Sequence, residues 1–432
     1  MGSARDDRSE TRAPTGNTQA GFFRSRWVAP PPHVREAAAT ALPRGFRAAG
    51  VAAGIKGGGE LDVGLLVCDS DSAVSAARFC RNAVVGAPIT ASREADLERL
   101  RAVVVNSGNA NVALGDEGLE TARAARRAAA AALAVPAERV ACAATGVIGR
   151  PLPRDRLLAG IGHAARQLAA DSDAFSRAIV TTDRWPKRAC LEVDLPGGTV
   201  RLAAQAKGAG MIAPDFATML CFCETDARVA PEALDLLTTV CVRRSFDRIS
   251  VDGQLSTSDS VFVIASGASA VDVAFESEAE VRLGEALDAL FRQLALEIVA
   301  DGEGTTRVAR LVVRGAPELV EPVARAIAGS ALVKTALAGG DPNVGRILQA
   351  AGQELARHGA PGVVDIDIEG VAAVSAGVAL PLEERLLGEL ESAFARPEVE
   401  IEVRVPGSGG ETELFFSDLG HEYVRINAEY TT

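Results

Sequence analysis

The sequence predicts a mixed α/β protein of the α+β type, organised in parts. Three observations predict it. Of the 432 residues, 48% are apolar, enough to bury a sizeable core. Short apolar runs of strand character recur between longer stretches of helical composition. Beyond Arg310 the same rhythm restarts on a smaller scale. The expected division is a flexible extension over residues 1–40, a main domain over 41–310 and a smaller α/β domain over 311–432. No segment repeats at a fixed period, which excludes solenoids and propellers.

Residues 1 to about 40 are rich in charge, Pro and small polar side chains and read as loosely ordered. From Gly45, "GFRAAGVAAGIKGGG" reads as turn-rich, "LDVGLLVCD" as a strand, and "AVVVNSGNANVALGDEG" as a buried strand emptying into a Gly/Asn loop. "EGLETARAARRAAAAALAVP" is helical in composition and stops at Pro136. The strand "RVACAATGVIG" follows, leaving Thr145-Gly146 in a turn, and then a helix from about Pro153 to Ala170. The strands "TVRLAAQA" and "TMLCFCETDA" bracket a Gly-rich loop that carries Lys207, and "DSVFVIASG" is another strand. "SEAEVRLGEALDALFRQLALEIVADGEG" is the longest amphipathic helix and delivers "DGEGTT" at its end.

In the C-terminal part the reading is strand "LVVRG", helix "ELVEPVARAIAGS", loop "KTALAGGDPNVGR" and helix "ILQAAGQELARHG". Strand "VVDIDIEG", helix "LEERLLGELESAFA" and strands "VEIEVRV", "ETELFFSD" and "EYVRINAEY" complete it.

A formal net charge of -12 and a pI near 5.1 argue against nucleic acid or an anionic membrane as the main partner and leave a small-molecule substrate or a protein. Seven cysteines do not make a disulfide framework, and Cys221 and Cys223, alternating along an apolar run, read as buried small hydrophobes. Nothing at the N-terminus resembles a signal peptide, and no run approaches the ~20 apolar residues of a membrane span; a cytoplasmic protein is expected. None of the four histidines lies beside a Gly-rich turn or a carboxylate pair, so Ser-His-Asp and His-based zinc chemistry both lack parts.

A threonine hydroxyl is inert near neutral pH unless a base takes its proton. The residue's own α-amine, with an ordinary pKa of about 7.7 to 8.0, is one such base and needs no histidine. It is exposed only if the preceding peptide bond is cut. Ala217-Thr218 suits that chemistry, with a small residue before the threonine and a Gly-rich loop upstream. On pattern alone, Thr218 reads first as a β-branched residue entering a strand.

Several motifs occur together and in order between Gly45 and Thr432: "NSGNAN", "ATGVIG", "TTD", "KGAGMIAPDFATML", "SFDRISVDGQLSTSDS", "DGEGTT", "KTALAGGDPNVGRI" and "YVRINAEYTT". This set resembles the glutamate N-acetyltransferase/ornithine acetyltransferase family of arginine biosynthesis. The resemblance implies a layered αββα main domain of the DmpA/ArgJ-like kind, and self-cleavage between Ala217 and Thr218. It implies Thr218 as nucleophile and Thr145 with Gly146 as oxyanion hole. Substrate binding falls to Thr181, Thr182, Lys207, Thr218, Glu303, Asn427 and Thr432. It further implies transfer of acetyl from acetyl-ornithine to glutamate without cofactor or metal, and an α2β2 heterotetramer of the processed chains. The 106–111 loop, "DPNVGR" and "RISVDG" are assigned to scaffold and pocket shape. Taken singly, Thr145-Gly146 is also a plain strand-to-loop turn, "TTD" a polar turn, and Lys207 and Glu303 solvated charges.

The sequence departs from the family pattern at Asp215 and Phe216 before the cleavage point, at Gln254 and Leu255, and at Val344. These departures leave open a paralogue acting on another amino acid, and leave open acetyl-CoA as a second donor. An N-terminal-nucleophile amidohydrolase or aminopeptidase, in which water takes the acyl group, is the alternative from another reaction class.

Overall fold

The structure is a computed structural model that describes residues 21–214, 219–381 and 383–429. Asp215, Phe216, Ala217, Thr218 and Thr432 lie outside the described residues, as do the first twenty.

Two β-sheets pack face to face between helices. One has six strands, in the order Val34–Glu36, Lys187–Leu195, Gly198–Lys207, Leu220–Thr225, Ser260–Ala265, Val74–Phe79; the other has four, in the order Phe46–Val51, Val63–Cys68, Ala102–Asn109, Val140–Val147. Strand alternation explains the layering. In Leu220–Thr225, Leu220 and Phe222 face the other sheet, while Cys221 and Cys223 face the helices, so both faces are buried and the strand reads as one apolar run. Between the sheets Phe222 stacks on Phe262 at 5.8 Å and meets Phe175 edge-on at 5.0 Å, favoured geometries for aromatic pairs.

The outer face of the four-stranded sheet is covered by the helices Gly115–Leu133 and Arg154–Arg166. The six-stranded sheet is covered by Pro231–Arg244 and Glu278–Ala300. Glu278–Ala300 begins at a reciprocal cap: the Ser277 hydroxyl accepts the Glu280 N–H, and the Glu280 carboxylate accepts the Glu276 N–H at 2.6 Å. The result is the αββα arrangement expected above.

A third, seven-stranded sheet centres on Val308–Gly315, which pairs in parallel with Glu398–Arg404 and antiparallel with Gly410–Ser417. The helices Pro317–Ala328, Val344–Arg357 and Glu384–Phe394 lie on its apolar face. Its edge strand Ile249–Ser250 comes from earlier in the chain and pairs with Phe415–Phe416, tying this sheet to the sandwich. Arg292, on the Glu278–Ala300 helix, reaches Glu413 on the same sheet.

Several element readings change. From Gly21 onward the segment read as loose is packed: Phe22, Val28 and Val34 are buried, and Val34–Glu36 pairs with Lys187–Leu195. "GFRAAGV" holds a strand rather than turns, because Phe46, Ala48 and Ala49 bury against the sandwich. "KTALAGGDPNVGR" is mostly helical: Ala331–Gly339 stops at Gly340 in the left-handed region, and Asn343 caps Val344–Arg357. The described part of "EYVRINAEY", residues 422–429, lies in a helix, His421–Glu429, held by Arg425 pairing with Glu422 and with Glu429 one turn on.

Candidate active site

The strand ends of both sandwich sheets open into one cavity of about 150 Å³. Every sequence-predicted site residue among those described lines it: Thr145, Gly146, Thr181, Thr182, Lys207, Glu303 and Asn427. Four separate stretches of chain and the C-terminal helix supply them.

Thr145 and Gly146 lie near the end of the strand Val140–Val147, paired in parallel with Ser107 and Gly108 of the neighbouring strand. They are strand residues rather than a turn. Gly146 has φ 128°, a conformation that L side chains rarely adopt.

Lys207 ends the strand Gly198–Lys207 directly opposite Leu220, and it is 3% exposed rather than solvated in a loop. Its Nζ donates to Thr181 Oγ1 at 2.9 Å and to Thr145 Oγ1 at 3.3 Å. An ammonium only donates, so the Thr145 hydroxyl hydrogen stays free to point elsewhere. Burial pulls the Lys207 pKa down, and the charge of Asp183 opposes it.

Asp183 organises this wall. Its carboxylate accepts the N–H of Thr181 at 3.0 Å, the N–H of Gly208 at 2.8 Å and Lys187 Nζ at 2.7 Å. Lys187 in turn donates to Asp301 at 2.6 Å, and Arg184 reaches Asp301 at 2.9 Å. Burial alone would raise the Asp183 pKa, but the charges of Lys187 and Lys207 hold it well below the usual carboxylate range. One buried carboxylate thus fixes both Gly208, next to Lys207, and Thr181, to which Lys207 donates.

The opposite wall follows the Glu278–Ala300 helix. The Glu303 N–H donates to the Ala209 carbonyl at 2.8 Å, and the Glu303 carboxylate accepts Asn427 Nδ2 at 2.7 Å. Gly304, at φ 72°, lets the C-terminal helix come close: a Cβ there would stand 2.5 Å from the Tyr423 nitrogen. The Tyr423 hydroxyl donates to Asp252 at 3.2 Å, and Asp252 also accepts the N–H groups of Met211 and Ile212 at 2.7 and 2.8 Å. These contacts seat the C-terminal helix on the cavity.

Sequence motifs alone do not single out Asp183, Asp252 or Tyr423 as site residues, and they assign "RISVDG" to scaffold. The available signal is a carboxylate immediately after "TT" and another inside "VDG", acceptors that backbone amides of a nearby loop can use. Among the departures, Gln254 lines the cavity, Leu255 is 37% exposed, and Val344 packs against the C-terminal core. Among the described residues no group of three or more His, Cys, Asp or Glu is placed to hold a metal ion, and no helix is long and apolar enough to cross a membrane.

An ammonium on one wall, a carboxylate on the other, and a hydroxyl beside the ammonium suit an α-amino acid derivative with one reacting carbonyl. The comparisons with known proteins bear on the family. The ArgJ family profile matches residues 47–432. The chain is 41% identical over 396 residues to the arginine biosynthesis bifunctional protein ArgJ of Nitratidesulfovibrio vulgaris, covering 90% of this chain and 99% of that protein. It is 40% identical over 399 residues to the protein of the same name from Rhodopirellula baltica, covering 90% and 96%. A solved chain of ornithine acetyltransferase complexed with ornithine, from Mycobacterium tuberculosis, is 39% identical with a TM-score of 0.40, covering 42% of this chain and 98% of that one. On the span matched and the identity sustained across it, the chain belongs to the ArgJ family.

Proposed function

We propose that this chain is a self-cleaving acyltransferase of arginine biosynthesis that moves the acetyl group of N2-acetyl-ornithine to glutamate through an ester on Thr218. The observation that carries this reading is the convergence of Thr145, Gly146, Thr181, Thr182, Lys207, Glu303 and Asn427 on one cavity, in a chain of this family. Cleavage between Ala217 and Thr218 makes Thr218 an N-terminal residue. Its hydroxyl adds to the acetyl carbonyl carbon while its α-amine takes the proton. The oxyanion is met by the Thr145 hydroxyl and the Gly146 N–H. The C–N bond breaks, ornithine leaves with the proton, and the glutamate amine reverses the sequence.

In this reading Lys207 has two roles. Two of its N–H groups are taken by Thr145 and Thr181, and the third serves the substrate carboxylate. Its grip on Thr145 also leaves that hydroxyl's hydrogen for the oxyanion. Glu303, with Asn427 on its other oxygen, takes the substrate ammonium. Thr432, outside the described residues, is proposed as a further substrate-binding residue. Lys207→Met is expected to raise KM for acetyl-ornithine about tenfold and to lower kcat/KM about 10²-fold, measured by steady-state kinetics. A change in neither would remove Lys207 from the site.

The same proposal takes the two cleavage products to remain together as an α2β2 assembly in the cytoplasm, with a main domain up to about residue 310, and to need no cofactor. The deciding experiment incubates purified protein with acetyl-ornithine and glutamate and follows acetyl-glutamate against free acetate. Acetyl-glutamate as the main product is expected. Free acetate would replace transfer with hydrolysis, and transfer to a different amine would identify a paralogue. Acetyl-CoA in place of acetyl-ornithine reads the second donor in the same assay.

A further inference from the structure

Lys334 is a buried cation that the mechanism above does not use. It lies in the helix Ala331–Gly339 and begins the motif "KTALAGGDPNVGR"; 2% of it is exposed. Among the described residues its Nζ has one hydrogen-bond acceptor, the Ser417 carbonyl, and it stands 5.1 Å from the centre of the Phe416 ring. An ammonium carries three N–H groups, so one carbonyl and one ring face serve it poorly. Burial pulls the Lys334 pKa down to about 7 from 10.5, opposed by the charges of Asp252 and Asp418. Arg307 and Arg346 reach the same helix at its carbonyls, Ala338 and Leu332, both at 2.8 Å. A methionine would fill this space without desolvating a charge. The lysine therefore serves something other than the stability of the core.

What it holds is a joint. Residues 417–420 link the strand Gly410–Ser417 to the C-terminal helix His421–Glu429. The Lys334 side chain takes the Ser417 carbonyl, and its own carbonyl accepts the Leu419 N–H at 3.2 Å. Asp418, between those two, accepts the N–H groups of Thr306 and Arg307 at 2.9 and 3.2 Å, which fastens the joint to the segment following Glu303. Asp252, the other carboxylate acting on Lys334, accepts the Tyr423 hydroxyl in the first turn of the helix. No described residue of that helix is buried. Packing of an apolar face therefore contributes little to its direction, which depends on these polar contacts and on the close approach at Gly304.

We propose that Lys334 is a positioning residue for the substrate-ammonium site: by holding the joint at Ser417 and Leu419, it aims the C-terminal helix so that Asn427 meets Glu303. The inference rests on the reading in which Glu303 and Asn427 take the substrate ammonium. Lys334 touches no substrate. Its charge offsets those of Asp252 and Asp418, one fastening the helix and the other the joint.

The test compares the full chain as wild type and as Lys334→Met, which keeps the length of the side chain without its charge or donors. The variant is expected to raise KM for acetyl-ornithine about tenfold with kcat within about threefold, because the ammonium site is displaced and the reacting groups are not. Hydrogen exchange read by mass spectrometry should show protection over 421–429 falling at least about tenfold, while the helix Val344–Arg357 keeps its own. The Tm of the variant at pH 7 should equal or exceed that of the wild type. In the wild type the folded chain gives up the Lys334 proton near pH 7 and the unfolded chain keeps it to about 10.5, so stability rises with pH across that interval. The variant lacks this rise, and any lead in Tm should narrow by about pH 9. If the Met variant does not fold, Lys334→Gln is read in the same way. Unchanged KM and unchanged protection overturn the proposal. So does a raised KM with a Tm lower by several degrees and protection lost throughout, which is what a merely structural residue gives. A wild type that moves no acetyl group removes the reading of Glu303 and Asn427, and the exchange experiment then decides by itself whether Lys334 aims the helix.

Discussion

Thr218→Ala is expected to yield one uncut chain, with acetyl transfer reduced by a factor of about 10⁵ or more. The two losses have one cause. In the proposed mechanism, without the hydroxyl nothing attacks the Ala217 carbonyl, so the amine is never liberated, and the cavity presents Thr145, Gly146 and Lys207 to a substrate that has no nucleophile to meet. Oxyanion and binding contacts alone leave some rate over water, so a faint residual activity is compatible with the mechanism. Thr218→Ser keeps an attacking oxygen and is expected to cut, more slowly. Intact mass under denaturing conditions and acetyl-glutamate formation read both variants. A Thr218→Ala chain with full transfer would sink the mechanism.

Gly146→Ala carries the second large effect. A Cβ at this position would stand 2.4 Å from the Gly108 carbonyl carbon and 2.5 Å from the Asn109 nitrogen. Both are backbone atoms of the adjacent parallel strand, so no side chain can swing away to make room. The φ of 128° adds strain of about 1 to 3 kcal/mol for any L side chain. Relief requires the strands to part at the position whose N–H the proposed mechanism aims at the oxyanion. A loss of about 10³-fold in kcat/KM and a fall of several degrees in Tm are expected. Gly149→Ala is the control. Its φ of 76° is also positive, but nothing lies within 4 Å of the added Cβ. It should cost stability through strain alone and leave activity within about threefold. Equal losses in the two variants would show that conformational strain, not the approach of the neighbouring strand, matters at Gly146.

The errors in reading elements share a physical origin. "EYVRINAEY" alternates like a strand, and only its docking decides for helix: Tyr423 and Asn427, four residues apart, must both face the cavity to reach Asp252 and Glu303. "GFRAAGV" is glycine-rich and reads as turns, yet the sheet beside it accepts small residues where helix Asp173–Ala178 crosses close by. A Cβ on Gly50 would lie 2.0 Å from the Ala174 carbonyl oxygen. Propensity is local, and these positions were decided by what packs on them. Lys207 illustrates the same point for charge. A lysine among glycines reads as solvated, and its burial becomes tolerable only because Asp183, distant by 24 positions, is brought within 3.9 Å.

By itself the sequence determined the class of the fold, the order of the long apolar strands and amphipathic helices, and the cavity-lining residues that match family motifs. Those features are written in periodicity and in short contiguous strings, which survive without knowledge of contacts. Tertiary structure alone decided how Lys207, Asp183, Lys187 and Asp301 form one buried charge network, how Asp252 and Gly304 seat the C-terminal helix, and that Asp259 stands against Met219. The reason is physical: the free energy of a buried charge depends on partners tens to hundreds of residues away, and nothing in the local string records which ones folding will supply.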